Sequence, residues 1–326
     1  MQAFRLLLAL GAAAALLVGC GSGSDPDRAE KEPWLFQSLH LTLDGEAGPE
    51  TAGLLTAQKL GYFEDRGLGL TITPPLNPER PVQYVAAGSV DVAVTHEPEV
   101  VLAQAQGRPI VAVGSLVPRP TMAMIWLQRS GMSDLADLRG KTIAMPGAPF
   151  QRRFLQAVLA RVGLTLGDVE LIEKERDLVS QLADGRADAI FGGSPNVEGA
   201  ALESRGLKTT AIPAAELGIP PYDELVVIAR EDRVAENPEL FRRLMAAVRQ
   251  GTAAAIEDPA TAVEAIDEGA YGESERRPTE AGVEATLPLL SRSGQLSSGQ
   301  ATGLIAWMHD EGMIERKPPA AALIGP

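Results

Sequence analysis

Ala86-Ala87-Gly88-Ser89-Val90-Asp91-Val92-Ala93-Val94 recurs as Ala183-Asp184-Gly185-Arg186-Ala187-Asp188-Ala189-Ile190-Phe191, with Gly185 lying 97 residues after Gly88. Each copy reads as a helix end, a glycine, two residues, an aspartate and an apolar strand. Glycine takes the left-handed conformation that ends a helix, and aspartate suits the tight turn into a strand. A second pair of segments stands in register with the first. A strand over Leu39–Leu43 ends in Asp44-Gly45, and a strand over Thr142–Met145 ends in Pro146-Gly147-Ala148-Pro149 before a helix from Phe150 to about Val162. Two similar α/β lobes in succession are therefore expected.

Outward from these anchors, short apolar runs alternate with amphipathic stretches, the signature of an α/β parallel sheet. Strands are predicted at Gly69–Thr73, Val90–Val94, Val111–Leu116, Thr121–Leu127 and Leu225–Ala229, with helices at Thr51–Phe63, Val82–Ala87, Pro98–Gln106 and Asn196–Glu203. Val117-Pro118-Arg119-Pro120 and Pro220-Pro221-Tyr222-Asp223-Glu224 read as two chain crossings between lobes, which together make a hinge. The expected organisation is lobe I over 37–120, lobe II over 121–224, and a return to lobe I over 225–326. The return is helical: Asn237 can cap a helix that has Pro238 at its first position. Further helices are expected at Pro259–Glu268, Glu280–Leu290 and Ser298–Glu311.

The chain has 326 residues, a net charge of −14, one cysteine and a pI of about 4.8. Hydrophobic residues make up 45%, enough to bury a core. Phosphate binding needs clustered Lys and Arg, so the acidic balance argues against a nucleic-acid partner. A single cysteine excludes an intrachain disulfide and a Cys-rich zinc site. Residues 1–19 read as a signal peptide: Arg5, an apolar run over Leu6–Val18 that is too short to span about 30 Å of hydrocarbon, then Gly19. Leu17-Val18-Gly19-Cys20 resembles the bacterial lipobox, with Cys20 the lipidated N-terminus of the mature chain. Residues 20–36 would be a polar tether, and the protein would be anchored on the extracytoplasmic face of the cell membrane.

Ligands of open α/β sheets bind beyond the carboxyl ends of strands. That rule selects Asp44, Gly45, Glu46, Thr95, His96 and Glu97 from lobe I. From lobe II it selects Gly147, Ala148, Phe150, Gly193, Ser194, Asn196 and Glu198, and Tyr222 joins them from the crossing. The carboxylates give the cleft an acidic character that suits amino groups or ring N–H donors better than nitrate or a sulfonate. No nucleophile elbow, P-loop or dinucleotide fingerprint follows a strand. His96 with Glu97 and Glu99 lacks a second histidine, so neither a metal nor a cofactor is expected, and the chain is read as a binding protein, not an enzyme.

Several segments carry a family resemblance. They are Leu43-Asp44 with Gly53-Leu54, Ala57-Gln58-Lys59-Leu60-Gly61-Tyr62-Phe63-Glu64-Asp65-Arg66-Gly67-Leu68, Ala105-Gln106-Gly107-Arg108-Pro109-Ile110, Leu138-Arg139-Gly140-Lys141-Thr142-Ile143, Gly192-Gly193 through Asn196-x-Glu198-Gly199, and Tyr222-Asp223-Glu224-Leu225-Val226. From about Leu39 to Ile266 the chain resembles the solute-binding proteins of ABC importers. The branch it resembles binds thiamine pyrimidine precursors and is related to the yeast pyrimidine-synthesising enzyme. The resemblance implies a type II periplasmic binding protein, α/β, with two lobes closing on a ligand at a hinge, and ABC permease and ATPase subunits as partners. It also implies a small nitrogen heterocycle as ligand, foremost a thiamine pyrimidine precursor. Riboflavin, another vitamin, a sulfonate or nitrate are the alternatives in the same fold. A pyrimidine-synthesising enzyme or a ligand-sensing lipoprotein are the alternatives of another class. Family members often carry Trp directly after the first strand's Asp and His a few residues later, where this chain has Gly45 and Thr51. Phe150 and Tyr222 are the expected substitutes for the missing stacking ring.

Overall fold

A computed structural model describes residues 36–325, apart from 46, 76, 78–79, 174–176 and 270–279. The signal peptide, Cys20, nearly all of the tether and Glu46 lie outside the described residues. Two five-stranded sheets organise the chain. The first contains β1 (Gln37–Thr42), β2 (Leu68–Thr73), β3 (Val92–Thr95), β4 (Ile110–Val117) and β10 (Leu225–Arg230) in the order β2-β1-β3-β10-β4. The second contains β5 (Ala123–Leu127), β6 (Thr142–Met145), β7 (Glu170–Glu173), β8 (Ala189–Gly193) and β9 (Thr209–Pro213) in the order β7-β6-β8-β5-β9.

The two orders share a plan, and one strand of each sheet departs from the expected parallel arrangement. β10 runs antiparallel to both β3 and β4, and β5 runs antiparallel to both β8 and β9. Each is the first strand after a crossing, and each inserts at the fourth position of its new sheet. The crossings thus tie the sheets together through interior strands, whose residues are buried throughout apart from Arg230.

The repeat aspartates do more than shape their own turns. Asp91 accepts a hydrogen bond from the backbone N–H of His40 at 2.9 Å, and its own N–H donates to the His40 carbonyl at 3.0 Å. Asp188 does the same to Thr142, at 2.9 and 2.8 Å. In both lobes the aspartate therefore staples the entrance of the third parallel strand to the first, at the middle of β1 in lobe I and at the start of β6 in lobe II. This also explains why β3 begins at Val92 and not at Val90. Gly88 and Gly185 sit at φ +70° and +74°, the left-handed geometry that glycine adopts without strain.

The α-helices among the described residues are α1 (Ala52–Lys59), α2 (Pro81–Ala86), α3 (Glu97–Ala105), α4 (Pro149–Ala160), α5 (Leu178–Ala183), α6 (Ala200–Ser204), α7 (Glu231–Glu236), α8 (Pro238–Glu257), α9 (Pro259–Gly269), α10 (Glu280–Thr286), α11 (Ser298–Asp310) and α12 (Ala320–Leu323). Asn237 caps α8 as expected, its side chain accepting from the Leu240 N–H at 3.2 Å. One predicted helix takes another form: Asn196–Glu203 is a π turn over Pro195–Gly199 that leads into a short α6. Helix α11 lies where the two halves meet. Its Leu304, Ile305 and Met308 share a core with Val100 and Val226 of the first sheet's layer and with Met124 and Phe154 of the second. Trp307 packs edge-on against Phe154, with centroids 4.8 Å apart.

Candidate functional site

The strand ends of both sheets open on a cleft of about 580 Å³. Its lobe I wall holds Asp44 and Gly45 after β1, Glu50 and Thr51 before α1, and Thr95, His96 and Glu99 at the β3–α3 junction. Its lobe II wall holds Pro146, Gly147 and Ala148 after β6, Gln151 on α4, and Gly192, Ser194 and Glu198 around the π turn. Glu224, from the second crossing, stands between them.

His96 precedes α3 in extended geometry, which turns its ring away from the helix and towards Glu224. Nδ1 lies 3.0 Å from Glu224 Oε1 and 2.8 Å from the Glu224 carbonyl, while Nε2 faces Asp44 Oδ2 at 3.8 Å. Burial by itself would lower the imidazole, but the hydrogen bond and charge of Glu224, with Asp44 behind it, outweigh burial and push it up to about 9. Burial pulls Glu224 the other way, yet His96 and backbone donors hold it below the usual carboxylate value. The geometry is therefore that of an imidazolium–carboxylate pair.

Glu224 is also the staple of the crossings. Its Oε2 accepts from the backbone N–H of Thr121 at 2.8 Å and of Met122 at 3.2 Å, and from the Tyr222 hydroxyl at 3.2 Å. One side chain thus joins both crossings to the lobe I wall. Glu50 extends the network: its Oε1 accepts from the Thr121 hydroxyl at 2.9 Å, and Thr121 accepts from the Ser194 hydroxyl at 3.0 Å. Burial, followed by the neighbouring charge of Glu224, raises Glu50 to about 8, so it carries a proton at neutral pH. Burial likewise raises Asp44 and Glu99, and Glu99 accepts from the Phe150 N–H at the start of α4, 3.2 Å away.

Of the residues expected at the site, Asp44, Gly45, Thr95, His96, Gly147, Ala148, Ser194 and Glu198 line the cleft. Glu97, Phe150, Gly193, Asn196 and Tyr222 are not among its lining residues. Glu97 turns into the protein, where it accepts from the Asp223 N–H at 2.7 Å, and burial raises it to about 8. Asn196 donates to the Thr286 hydroxyl on α10 at 2.8 Å. Phe150 and Tyr222 are fully buried, so the expectation that they offer ring faces to a ligand is corrected. Phe150 instead packs behind His96, with centroids 5.1 Å apart, and against Phe154. Apolar rings with a choice between cleft and core are drawn inward by burial worth about 1.5–3 kcal/mol per side chain. Among the described lining residues there is no Phe, Tyr or Trp. An added Cβ at Gly45 would meet nothing within 4 Å.

Glu50, Glu99, Gln151 and Glu224 were not selected from the sequence. Glu224 had a signal, since it stands in the Tyr222–Val226 segment, but its 128-residue separation from His96 hid the pairing. Among the described lining residues, Asp44, Glu50, Glu99, Asp177, Glu198 and Glu224 face only Arg205 and His96 as bases, so the wall is acidic. Among the described residues no group of three or more His, Cys, Asp or Glu is placed to hold a metal ion, and no helix is long and apolar enough to cross a membrane.

The model of the NMT1/THI5-like family matches residues 48–262, which bear most of the lobe I wall and all of the lobe II wall. The chain belongs to the NMT1/THI5-like family. Within it, a putative thiamine biosynthesis protein of Haemophilus influenzae is 30% identical over 88% of this chain and 90% of its own length. A formylaminopyrimidine-binding protein of Halalkalibacterium halodurans is 29% identical, covering 82% of this chain and 79% of its own. The family fold is likewise evident in solved structures. The periplasmic aliphatic sulphonate binding protein of Escherichia coli superposes with a TM-score of 0.70 at 15% identity, covering 89% of this chain and 92% of its own. The architecture of this NMT1/THI5-like chain is thus the two-lobed periplasmic binding protein fold that the sequence resemblance implied.

Proposed function

We propose that this protein is the extracytoplasmic solute-binding component of an ABC importer and captures an aminopyrimidine precursor of thiamine. The observation that carries the reading is the acidic wall built around Asp44, Glu50, His96 and Glu224 in a cleft between two lobes. Carboxyl oxygens accept from exocyclic amino groups, and the wall offers an oxyanion no unpaired cation among Asp44, Glu50, His96 and Glu224, since His96 is paired with Glu224. The formylaminopyrimidine-binding relative supports the ligand class. Glu198 and Asp44 supply acceptors from opposite walls. Proline and aliphatic side chains such as Pro146, Ala148 and Val197 take the place of stacking aromatics against a flat ring.

Ligand drives closure only through its greater affinity for the closed form. The permease would engage that form, with Cys20 bearing the lipid that keeps the protein at the membrane. The ligand is returned unchanged, as binding and not synthesis requires. Thermal-shift screening of the chain lacking residues 1–20 tests the reading. 4-Amino-5-hydroxymethyl-2-methylpyrimidine or an N-formyl aminopyrimidine at one hundred times Kd is expected to stabilise the fold by about 2.7 kcal/mol. Stabilisation by aliphatic sulfonates with none by aminopyrimidines would overturn it, as would consumption of the pyrimidine. For the anchor, Cys20→Ser is expected to release the protein from the membrane fraction.

A further inference from the structure

The acidic wall contains carboxylates that are already committed, and Glu50 is held differently from them. Glu224 spends Oε1 on His96 and Oε2 on Thr121, Met122 and Tyr222. Glu198 accepts from the Ser194 N–H at 2.7 Å, and Glu99 accepts from the Phe150 N–H. Glu50 takes one hydrogen bond among the described residues, from the Thr121 hydroxyl to Oε1. It is half-buried, it lines the cleft, and its donor is itself fixed by Ser194 from the other lobe. A carboxyl oxygen can accept twice, so that oxygen keeps capacity for a ligand while Thr121 fixes the group's orientation.

The groups facing Glu50 come from every side of the cleft. Glu224 stands at the second crossing, Asp44 after β1 and Glu198 on the π turn, and all three oppose a further negative charge at Glu50. His96, the base of this cluster, bonds Glu224 through Nδ1 and faces Asp44 through Nε2, and its charge acts more strongly on these two than on Glu50. An uncharged carboxylic acid has an O–H donor beside a C=O acceptor. That pair is complementary to one edge of an aminoazine, where a ring nitrogen lone pair stands beside an amino N–H. A carboxylate lacks the donor, and a sulfonate lacks the matching edge.

We propose that Glu50 selects the ligand by engaging, as a carboxylic acid, the ring nitrogen and adjacent amino group of an aminoazine through two parallel hydrogen bonds. This rests on the aminopyrimidine reading above and specifies its recognition. The preferred class is heterocycles with an amino group directly beside an unsubstituted ring nitrogen.

Calorimetric titration of the full-length protein with 4-amino-5-hydroxymethyl-2-methylpyrimidine between pH 7 and 9.5 tests it. Wild-type Kd is expected to hold steady up to about pH 8, then to rise towards tenfold per pH unit as the competent fraction falls. Glu50→Gln retains an N–H beside a C=O, so it should bind at pH 7 and lose the alkaline rise. Glu50→Ala should bind about 10- to 100-fold more weakly at pH 7, as expected for loss of a two-point contact. Wild-type-like binding by Glu50→Ala, or an unchanged alkaline rise in Glu50→Gln, overturns the assignment of Glu50 alone. Failure of the wild type to bind any aminopyrimidine overturns the ligand reading and this proposal together.

Discussion

The two lobes share a frame and differ in the walls they offer. Gly88 and Gly185 end a helix in the same way, and Asp91 and Asp188 staple the same neighbouring strand with the same pair of hydrogen bonds. Beyond the next strand the copies diverge. In lobe I the chain enters α3 directly and turns His96 towards Glu224. In lobe II it passes Gly192 at φ +85°, where a Cβ would sit 2.9 Å from the Gln151 amide, and then makes a π turn. Most of the buried and titrating groups of the cleft accordingly stand on lobe I and the crossings, while lobe II contributes mainly small and neutral surface. The frame conserves geometry through a glycine at positive φ and an aspartate whose carboxylate and N–H both bond the first strand. The walls are free to differ because the loops beyond the strand ends lie outside this shared set of bonds.

The most severe way to break this arrangement is at Glu224. Glu224→Ala leaves the buried N–H groups of Thr121 and Met122 without their acceptor and takes the paired carboxylate from the His96 imidazolium. A loss of about 3–5 kcal/mol is expected in urea denaturation. A loss below 1 kcal/mol would mean that the crossings do not depend on this staple.

The next effect is on pH. The folded chain keeps protons on Glu50 and Glu97 up to about pH 8 and on His96 up to about pH 9, whereas the unfolded chain releases them near 4.5 and 6.5. Folded protein therefore binds more protons across this window, and stability falls as pH rises from about 5 to 9. The urea midpoint should drop steadily over that range. His96→Gln should remove the slope between about 8 and 9 and reduce it between 6.5 and 8, where Glu50 and Glu97 still contribute, whereas a lobe II change such as Asn196→Ala should leave the slope intact. A slope of opposite sign would break the contrast between the walls.

Smaller and more symmetrical effects are expected from the shared frame. Asp91→Ala and Asp188→Ala each leave an N–H of the first strand, that of His40 or of Thr142, without its acceptor and should each cost about 1–3 kcal/mol. If the frame is equivalent in the two lobes, the two losses agree to within about 0.5 kcal/mol. The mildest test is Asn196→Ala, which removes the bond to Thr286 and should cost about 1 kcal/mol in the same assay.

The sequence by itself determined the succession of elements and the equivalence of the two lobes. Those follow from short-range facts: a glycine that alone fits the left-handed end of a helix, an aspartate before a strand, and apolar residues at strand or helix spacing. It also located the strand-end loops, and through them Asp44, His96, Ser194 and Glu198. Tertiary structure decided the rest. Whether Phe150 and Tyr222 face solvent or core depends on which elements cover them, and both are fully buried against Phe154 in a core that spans the two lobes. The partners of His96 and Glu50 lie 128 and 71 residues away along the chain. Such pairings depend on how the strands are ordered in space, and with them go the charge states of the cleft. A carboxylate's proton is set by burial and neighbouring charge, which exist only once the sheets have closed around it.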